Sequence, residues 1–174
     1  GSRSIWTCTT LYARCFWQGV CNKNNGQKVN RETKNISSKT VFKPVLADIR
    51  ELGSVDKVFN KFEPHVVFHA AAYKHVPIQE HFPEEAIKTN IYGTSNIAQI
   101  SIKYNVKKFV LVSTDKAVKP TNVMGASKRL AEVIIQNFNK KNHKTEFMAV
   151  RFGNVLGSSG SVIPIFQEQI KNGG

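Results

Sequence analysis

The chain acquires a regular alternation of apolar and polar residues from Val41 onward. Four short apolar runs bounded by polar residues are typical of buried strands. Between and after them lie longer stretches whose apolar residues recur at helical spacing. The predicted strands are "VFKPVLADI" (41–49), "HVVFHAAA" (65–72), "KKFVLVST" (107–114) and "TEFMAVRF" (145–152), and the predicted helices span 52–62, 84–105, 126–141 and 162–172. In the helix 84–105 we expect Ile87, Ile91, Ile97 and Ile100 to face a core.

This alternation predicts an α/β domain with a doubly wound parallel sheet. Strands that are apolar on both faces need helices on both sides, and parallel strands need helical crossovers. Ligands of such folds bind at the carboxyl ends of the strands. The residues that follow 65–72, 107–114 and 145–152 are therefore the first place to look for chemistry.

Residues 1–40 show no sustained period and end in a polar Asn/Lys/Ser stretch. We interpret them as an atypical basic segment, disordered or misread, that precedes a domain at 41–174. All three cysteines (Cys8, Cys15 and Cys21) lie here, at a spacing that matches no common zinc site. The expectation is free thiols and no bound metal.

The formal net charge of +13 is unevenly distributed. Residues 1–40 hold seven Lys/Arg and one Glu, so the other 134 residues carry +7. No nucleic-acid motif appears, and a basic surface that attracts an acidic substrate such as a nucleotide sugar is favoured over a nucleic-acid partner. No run approaches the roughly 18 apolar residues of a membrane span, and no secretory signal is visible, so a cytoplasmic location is expected.

Asp115 and Lys116 directly follow the strand 107–114. A solvated charged turn is the plainest explanation of such a pair. At a strand's carboxyl end, however, partial burial would move both pKa values toward the working pH, so that the acid can donate and the amine accept a proton. Met124 and Lys128 are four residues apart and share a helix face, although this spacing alone favours one core and one surface residue.

Two further stretches contain candidate ligand-binding residues. In "HAAAYKH" (69–75), small side chains would let a flat ligand approach the backbone, or would simply allow tight packing. In "RFGNVLGSSGSVIP" (151–164), Arg151 and Asn154 are donors suited to diphosphate or sugar oxygens.

Five blocks in this order resemble one known family: "VLADIRE", "HAAAYKHVPIQE", "TNIYGTSNI", "VSTDKAVKPTNVMGASKRLAE" and "RFGNVLGSSGSVIPIF". They are similar to CapD-type polysaccharide-biosynthesis proteins, the nucleotide-sugar 4,6-dehydratases of the extended short-chain dehydrogenase/reductase superfamily, over about 41–171. The resemblance implies a Rossmann-like fold, NAD or NADP as cofactor, and a UDP-N-acetylhexosamine substrate. The implied reaction oxidises C4, eliminates water across C5 and C6, and returns hydride to C6. A homo-oligomer is also expected.

The resemblance also implies roles for individual residues. Asp115 would protonate the departing C6 hydroxyl, Lys116 would remove the C5 proton, and Thr114 would bond the sugar near C4. Lys128 would hold the nicotinamide ribose, and Met124 stands where most relatives have a catalytic tyrosine. The remaining implied contacts are Asp48 and Ile49 at adenine, Ala70, Ala71, Thr89 and Ser113 along the cofactor, and Lys74, Arg151 and Asn154 at the substrate.

The chain departs from this family at its ends. The Gly-rich phosphate turn expected before Val41 is missing from the first 40 residues. We therefore expect a truncated or frame-shifted start, and an end at Gly174 that precedes the substrate-capping part. Such a core would have little or no activity, and a longer parent could be anchored to the bacterial inner membrane. A nucleotide-sugar 4-epimerase and a non-catalytic fragment stay open as alternatives.

Overall fold

The computed structural model describes residues 45, 47–140, 144–153 and 169–173. Within these ranges three parallel strands form one sheet in the order β1-β2-β3. They are β1 Val66–His69, β2 Lys108–Thr114 and β3 Glu146–Phe152. Val66 pairs with Lys108 and Lys108 with Glu146, so the three strands start level. Strands β2 and β3 also end level, at Thr114 and Phe152, whereas β1 ends opposite Leu111. Each lies inside a predicted strand, and only Ala70–Ala72 of the predicted 65–72 fall beyond β1.

Helices connect these strands. They are α1 Leu52–Phe62, α2 Val76–His81, α3 Pro83–Ala86, a π-helix at Ile87–Gly93, α4 Thr94–Lys103, a 3₁₀ turn at Asp115–Ala117 and α5 Val123–Lys140. A last helical turn covers 169–171 and residue 172 lies in a turn, whereas 162–168 of the predicted helix 162–172 lie outside the described residues. Parallel strands with helical crossovers confirm the predicted α/β class.

The core lies between one face of the sheet and helices α1, α4 and α5. Phe109 at its centre is fully buried and its ring packs at a tilt against that of Phe147, with ring centroids 5.1 Å apart. Ile97 of α4 and Ile135 of α5 complete the cluster. On the opposite sheet face Phe68 and Phe152 stay half exposed, because alternate strand residues point to opposite sides.

The predicted helix 84–105 contains a π-helical stretch, and this changes which isoleucines are buried. Ile97 and Ile100 are in the core as predicted, and Ile91 is partly buried. Ile87 is 43% exposed, so its predicted core position is wrong. The i→i+5 bonding of a π-helix widens the turn and rotates the preceding residues relative to α4.

The predicted strand 41–49 is wrong for the part that the structure describes. Val45 and residues 47–49 belong to no strand, although Ala47 and Ile49 are buried. An apolar run indicates burial and does not by itself establish pairing with a neighbouring strand. The cysteines and the predicted segment 1–40 lie outside the described residues. Among the helices in the described ranges, none has both the length and the hydropathy that crossing a bilayer requires.

Candidate functional site

Thr114, Asp115 and Lys116 form a hydrogen-bonded turn at the carboxyl end of β2. The Thr114 hydroxyl donates to Asp115 Oδ1 at 2.8 Å and accepts from the Lys116 backbone N–H at 3.4 Å, which caps the 3₁₀ turn. Lys116 Nζ donates to the same Asp115 oxygen at 3.1 Å. The carboxylate and the ammonium group are therefore in direct contact.

This ion pair is solvated, which corrects one sequence expectation. The side chains of Asp115 and Lys116 are 54% and 40% exposed. Hydrogen bonds from Thr114 and then Lys116 lower the pKa of Asp115, so the pKa moves away from neutral pH instead of toward it. The predicted upward shift of the Asp115 pKa is wrong for the free protein, because donors stabilise the carboxylate and little burial opposes them.

The first turn of α5 packs directly against this 3₁₀ turn. Asn122 caps the helix by accepting from Gly125 N at 2.8 Å, and Glu80 accepts from Val123 N at 2.6 Å. A Cβ atom at Gly125 would lie 2.5 Å from the backbone oxygen of Lys116. Only a glycine permits this approach, so Gly125 sets the spacing between α5 and the Asp115–Lys116 pair.

Met124 and Lys128 are both buried on one face of α5, with 4% and 8% of their surface exposed. The interpretation of their spacing as one core and one surface residue is therefore wrong. Lys128 Nζ donates to Val112 O of β2 at 2.8 Å. Burial lowers the pKa of Lys128 to about 8. An amine of mixed protonation is thus held beside the strand that ends in Thr114.

Arg151 is held by a buried carboxylate that sequence analysis did not identify. Its Nε and Nη2 donate to Glu132 at 2.9 and 2.7 Å, and Arg129 adds a third bond at 3.0 Å. Burial opposes the charge of Glu132, but the hydrogen bonds from Arg151 and Arg129 lower its pKa to about 2. The signal was present in the sequence, because Glu132 lies one helical turn after Lys128.

His69 ends β1 and is a neutral, buried histidine. Thr94 Oγ1 donates to Asn90 O at 2.6 Å, so it must accept from His69 Nε2 at 2.8 Å. This assigns the proton to Nε2. Burial, and then the charge of Lys128, lower the pKa of His69 to about 3. Its Nδ1 has no hydrogen-bond partner in the described part of the chain.

The other predicted ligand residues occupy different surroundings. Ala70 and Lys74 are exposed and Ala71 is partly buried, in the irregular segment after β1. Thr89 is buried in the π-helix, and its hydroxyl has no partner among the described residues. The remaining predictions concern Asp48 and Ile49 beside adenine, and Asn154 at the substrate.

The Asp48 carboxylate is bonded by the Arg50 guanidinium, with Nη2 2.7 Å from Oδ2. Ile49 is fully buried, packs against Gly93, and its carbonyl oxygen accepts from Asn96 Nδ2 at 3.0 Å, so it presents no open surface to an adenine ring. Asn154 lies outside the described residues. A surface groove of about 350 Å³ along α1 and α4 contains none of the predicted site residues. Within the described ranges no group of three His, Cys, Asp or Glu side chains could hold a metal.

Comparison with known proteins gives consistent relatives. The protein family described as "Polysaccharide biosynthesis protein" matches residues 20–174 of this chain. The match therefore begins within the atypical segment 1–40. The capsular polysaccharide biosynthesis protein CapD of Staphylococcus aureus is 52% identical over 153 residues, which are 87% of this chain and 26% of CapD. A UDP-glucose 4-epimerase of Rickettsia canadensis is 42% identical over 149 residues, 84% of this chain and 43% of the epimerase.

The solved structure of Pen from Bacillus thuringiensis superposes with a TM-score of 0.73 at 38% identity, over 87% of this chain and 46% of Pen. The chain thus spans less than half the length of each of these proteins. The family match and these identities agree with the motif blocks around Asp115, Met124 and Lys128. The chain belongs to the polysaccharide biosynthesis protein family of the extended short-chain dehydrogenase/reductase superfamily.

Proposed function

We propose that the chain carries the catalytic core of an NAD(P)-dependent UDP-N-acetylhexosamine 4,6-dehydratase in surface-glycan biosynthesis. One observation carries this proposal. A bonded carboxylate–amine pair, Asp115 and Lys116, lies at the carboxyl end of a central parallel strand, next to the buried Lys128 on the adjoining helix. An elimination of water from a sugar needs both an acid and a base, and this pair supplies both.

The residues present fit a nicotinamide cofactor. Thr89 Oγ1 and His69 Nδ1 are buried polar atoms without partners in the described chain, and such atoms usually meet a ligand or a water molecule. We assign Lys128 and Thr89 to the cofactor, together with Ser113, Ala70, Ala71 and Asp48. When bound, the cofactor supplies the oxidation at C4 and the reduction at C6.

The ionised state of Asp115 does not conflict with its proposed role as an acid. The ion pair holds one transferable proton, on Lys116, at the end of a hydrogen bond of 3.1 Å. Moving this proton onto Asp115 gives a carboxylic acid and a free amine without any exchange with solvent. A bound sugar would exclude water from the pair, and loss of water favours the neutral form over the charged one.

Asp115 and Lys116 then supply and accept all the protons that move in the elimination. The Lys116 amine takes the proton from C5, which is acidic only after C4 has become a ketone. Asp115 gives its proton to the C6 hydroxyl, which leaves as water while the C5–C6 double bond forms. Lys116 ends as ammonium and Asp115 as carboxylate, so the original ion pair is restored. Thr114, bonded to Asp115, keeps the acid oriented.

A 4-epimerase is the second candidate, because a Rickettsia protein of that name is 42% identical. Epimerisation needs only reversible oxidation at C4 and leaves the C5 proton in place. The oxidation releases only the C4 hydroxyl proton, which a single base can accept, so an epimerase has no use for a carboxylic acid beside the amine. The presence of both Asp115 and Lys116 therefore favours the dehydratase.

The two candidates are separated by incubating the purified protein with NAD(P)+ and UDP-N-acetylglucosamine in D₂O. A dehydratase gives a 4-keto-6-deoxy sugar with deuterium at C5, whereas an epimerase gives a C4 epimer of unchanged mass without that deuterium. NMR of the product shows whether C5 carries deuterium, and mass spectrometry shows whether the mass has changed. An unlabelled epimer would overturn the proposal.

A further inference from the structure

The irregular segment between β1 and α2 is held in place by two buried amide side chains, Gln79 and Asn90. They are 2% and 1% exposed, and neither is among the residues assigned above to cofactor or substrate. The segment contains Ala70, Ala71 and Lys74. It belongs to no strand or helix, and both amide side chains bond its backbone.

Asn90 occupies the centre of the network. Its Oδ1 accepts from Tyr73 N at 2.8 Å. Its Nδ2 donates to Ser127 Oγ at 2.9 Å and to Gln79 Oε1 at 3.1 Å. Ser127 in turn donates to Met124 O at 2.9 Å. The network therefore joins the Tyr73 backbone to the helix face that carries Met124 and Lys128.

Gln79 makes the second attachment. While its oxygen accepts from Asn90, its Nε2 donates to Tyr73 O at 3.0 Å and to His75 O at 3.4 Å. Tyr73 and His75 are the neighbours of Lys74 on both sides. Both ends of this short stretch are thus bonded by one amide group.

The π-helix makes this arrangement geometrically feasible. Thr89 and Asn90 are consecutive, and both are buried within it. Its wider turn directs two adjacent polar side chains inward, and π-helical turns occur often at functional sites. Asn90 thereby reaches the Tyr73 backbone from 17 residues away.

We propose that Gln79 and Asn90 are positioning residues that fix Lys74 relative to Met124 and Lys128. The expected effect on ligand binding rests on the proposed function, in which Lys74 binds the substrate. Neither amide needs to touch the ligand. Each acts through the Tyr73–His75 backbone, which determines where the Lys74 ammonium group can reach.

The first test is structural and needs no ligand. Gln79→Glu keeps the shape of the side chain but replaces the donor to Tyr73 O and His75 O with an acceptor. We expect the Tyr73 amide, which Asn90 binds, to exchange with deuterium roughly tenfold faster in this variant, by NMR, since a buried bonded amide is strongly protected. Gln99→Glu, the same change on the exposed face of α4, is the matched control. Equal Tyr73 exchange in both variants would overturn the proposal.

The second test asks whether the two amides act through Lys74. The dissociation constant for UDP is measured by calorimetry for Gln79→Glu, Lys74→Ala and the double variant, after circular dichroism confirms that each is folded. If Gln79 positions Lys74, the two losses of affinity are not additive, and Gln79→Glu adds less than twofold to Lys74→Ala. Fully additive losses would contradict positioning. If the unaltered protein binds no UDP, the proposed substrate fails, and Tyr73 exchange alone decides the role of the amides.

Discussion

Replacement of Glu132 by glutamine tests the electrostatic arrangement behind the candidate site. The variant keeps the volume of the side chain but removes a charge that is 1% exposed and bonded by Arg151 and Arg129. The folded pKa of about 2 lies below the ordinary value of 4.5. Ionisation of Glu132 therefore stabilises the folded state at pH values above 4.5, and this stabilisation disappears as the pH falls toward 2.

The magnitude follows from the size of that pKa shift. A shift of about 2.5 units corresponds to about 3 kcal/mol at pH 7. The side chains of Arg129 and Arg151 are partly exposed and can be hydrated once the charge is removed. We therefore expect Glu132→Gln to lower the free energy of unfolding by about 2–3 kcal/mol. At pH 3 the ionised carboxylate of the unaltered protein contributes only about 1–2 kcal/mol, so the difference between the two proteins should shrink by about 1–2 kcal/mol.

Urea denaturation followed by circular dichroism at pH 7 and pH 3 measures this difference. Glu146→Gln is the matched control, since Glu146 is an exposed glutamate on the same strand as Arg151. Its effect should stay within about 0.5 kcal/mol at both pH values. If the loss in Glu132→Gln were the same at pH 7 and pH 3, the carboxylate would not be ionised in the folded protein, and the electrostatic account of Arg151 would be wrong.

Three further predictions concern the reacting groups and the packing around them. Asp115→Asn and Lys116→Ala should each abolish product formation, as measured by NMR. Because both side chains act on the sugar, the NAD(P)+ dissociation constant should change less than about twofold. Normal turnover in either variant would refute the assigned roles. Burial lowers the folded pKa of Lys128 to about 8 from 10.5, so stability should rise by up to about 3 kcal/mol as pH increases from 7 to 10.5. In Lys128→Met the free energy of unfolding, measured by urea denaturation, should no longer rise over this pH range, and NAD(P)+ should bind more weakly. The same pH dependence in the variant and the unaltered protein would count against a buried amine. Gly125→Ala should lower kcat by roughly tenfold or more by displacing the Lys116 backbone, whereas Gly53→Ala, where no atom lies within 4 Å, should leave kcat unchanged.

The elements with a strong local pattern were predictable from the sequence, and those that depend on distant contacts were not. The helix Leu52–Phe62 and the strand Lys108–Thr114 follow directly from apolar periodicity. Helix α2 was not predicted, although its Pro77 suits the first turn of a helix. The π-helix has no sequence signature of this kind, and its placement accompanies the tight contact of Gly93 with Ile49.

The candidate site was also predictable only in part from the sequence. The position of Asp115 and Lys116 at a strand end followed from the α/β pattern, because that architecture brings carboxyl ends together. The pKa direction of Asp115 did not, since it depends on how the Thr114 hydroxyl and the Lys116 ammonium group are turned. The position of Glu132 one helical turn after Lys128 signals its burial, but its pairing with Arg151, 19 residues away, has no local signal. The same holds for the pairings of Gln79 with Tyr73 and of Asn90 with Ser127, which are 6 and 37 residues apart.

The close approach of Gly125 to the Lys116 carbonyl has a consequence for enzyme engineering. With no space for even a methyl group between the turn and the helix, the acid–base pair and the residue at position 124 cannot shift independently. A tyrosine placed at 124 would start from a backbone position that is fixed relative to Lys116. Met124→Tyr therefore tests whether a phenol at this position changes the alcohol-oxidising half of the reaction without changing the water-eliminating half.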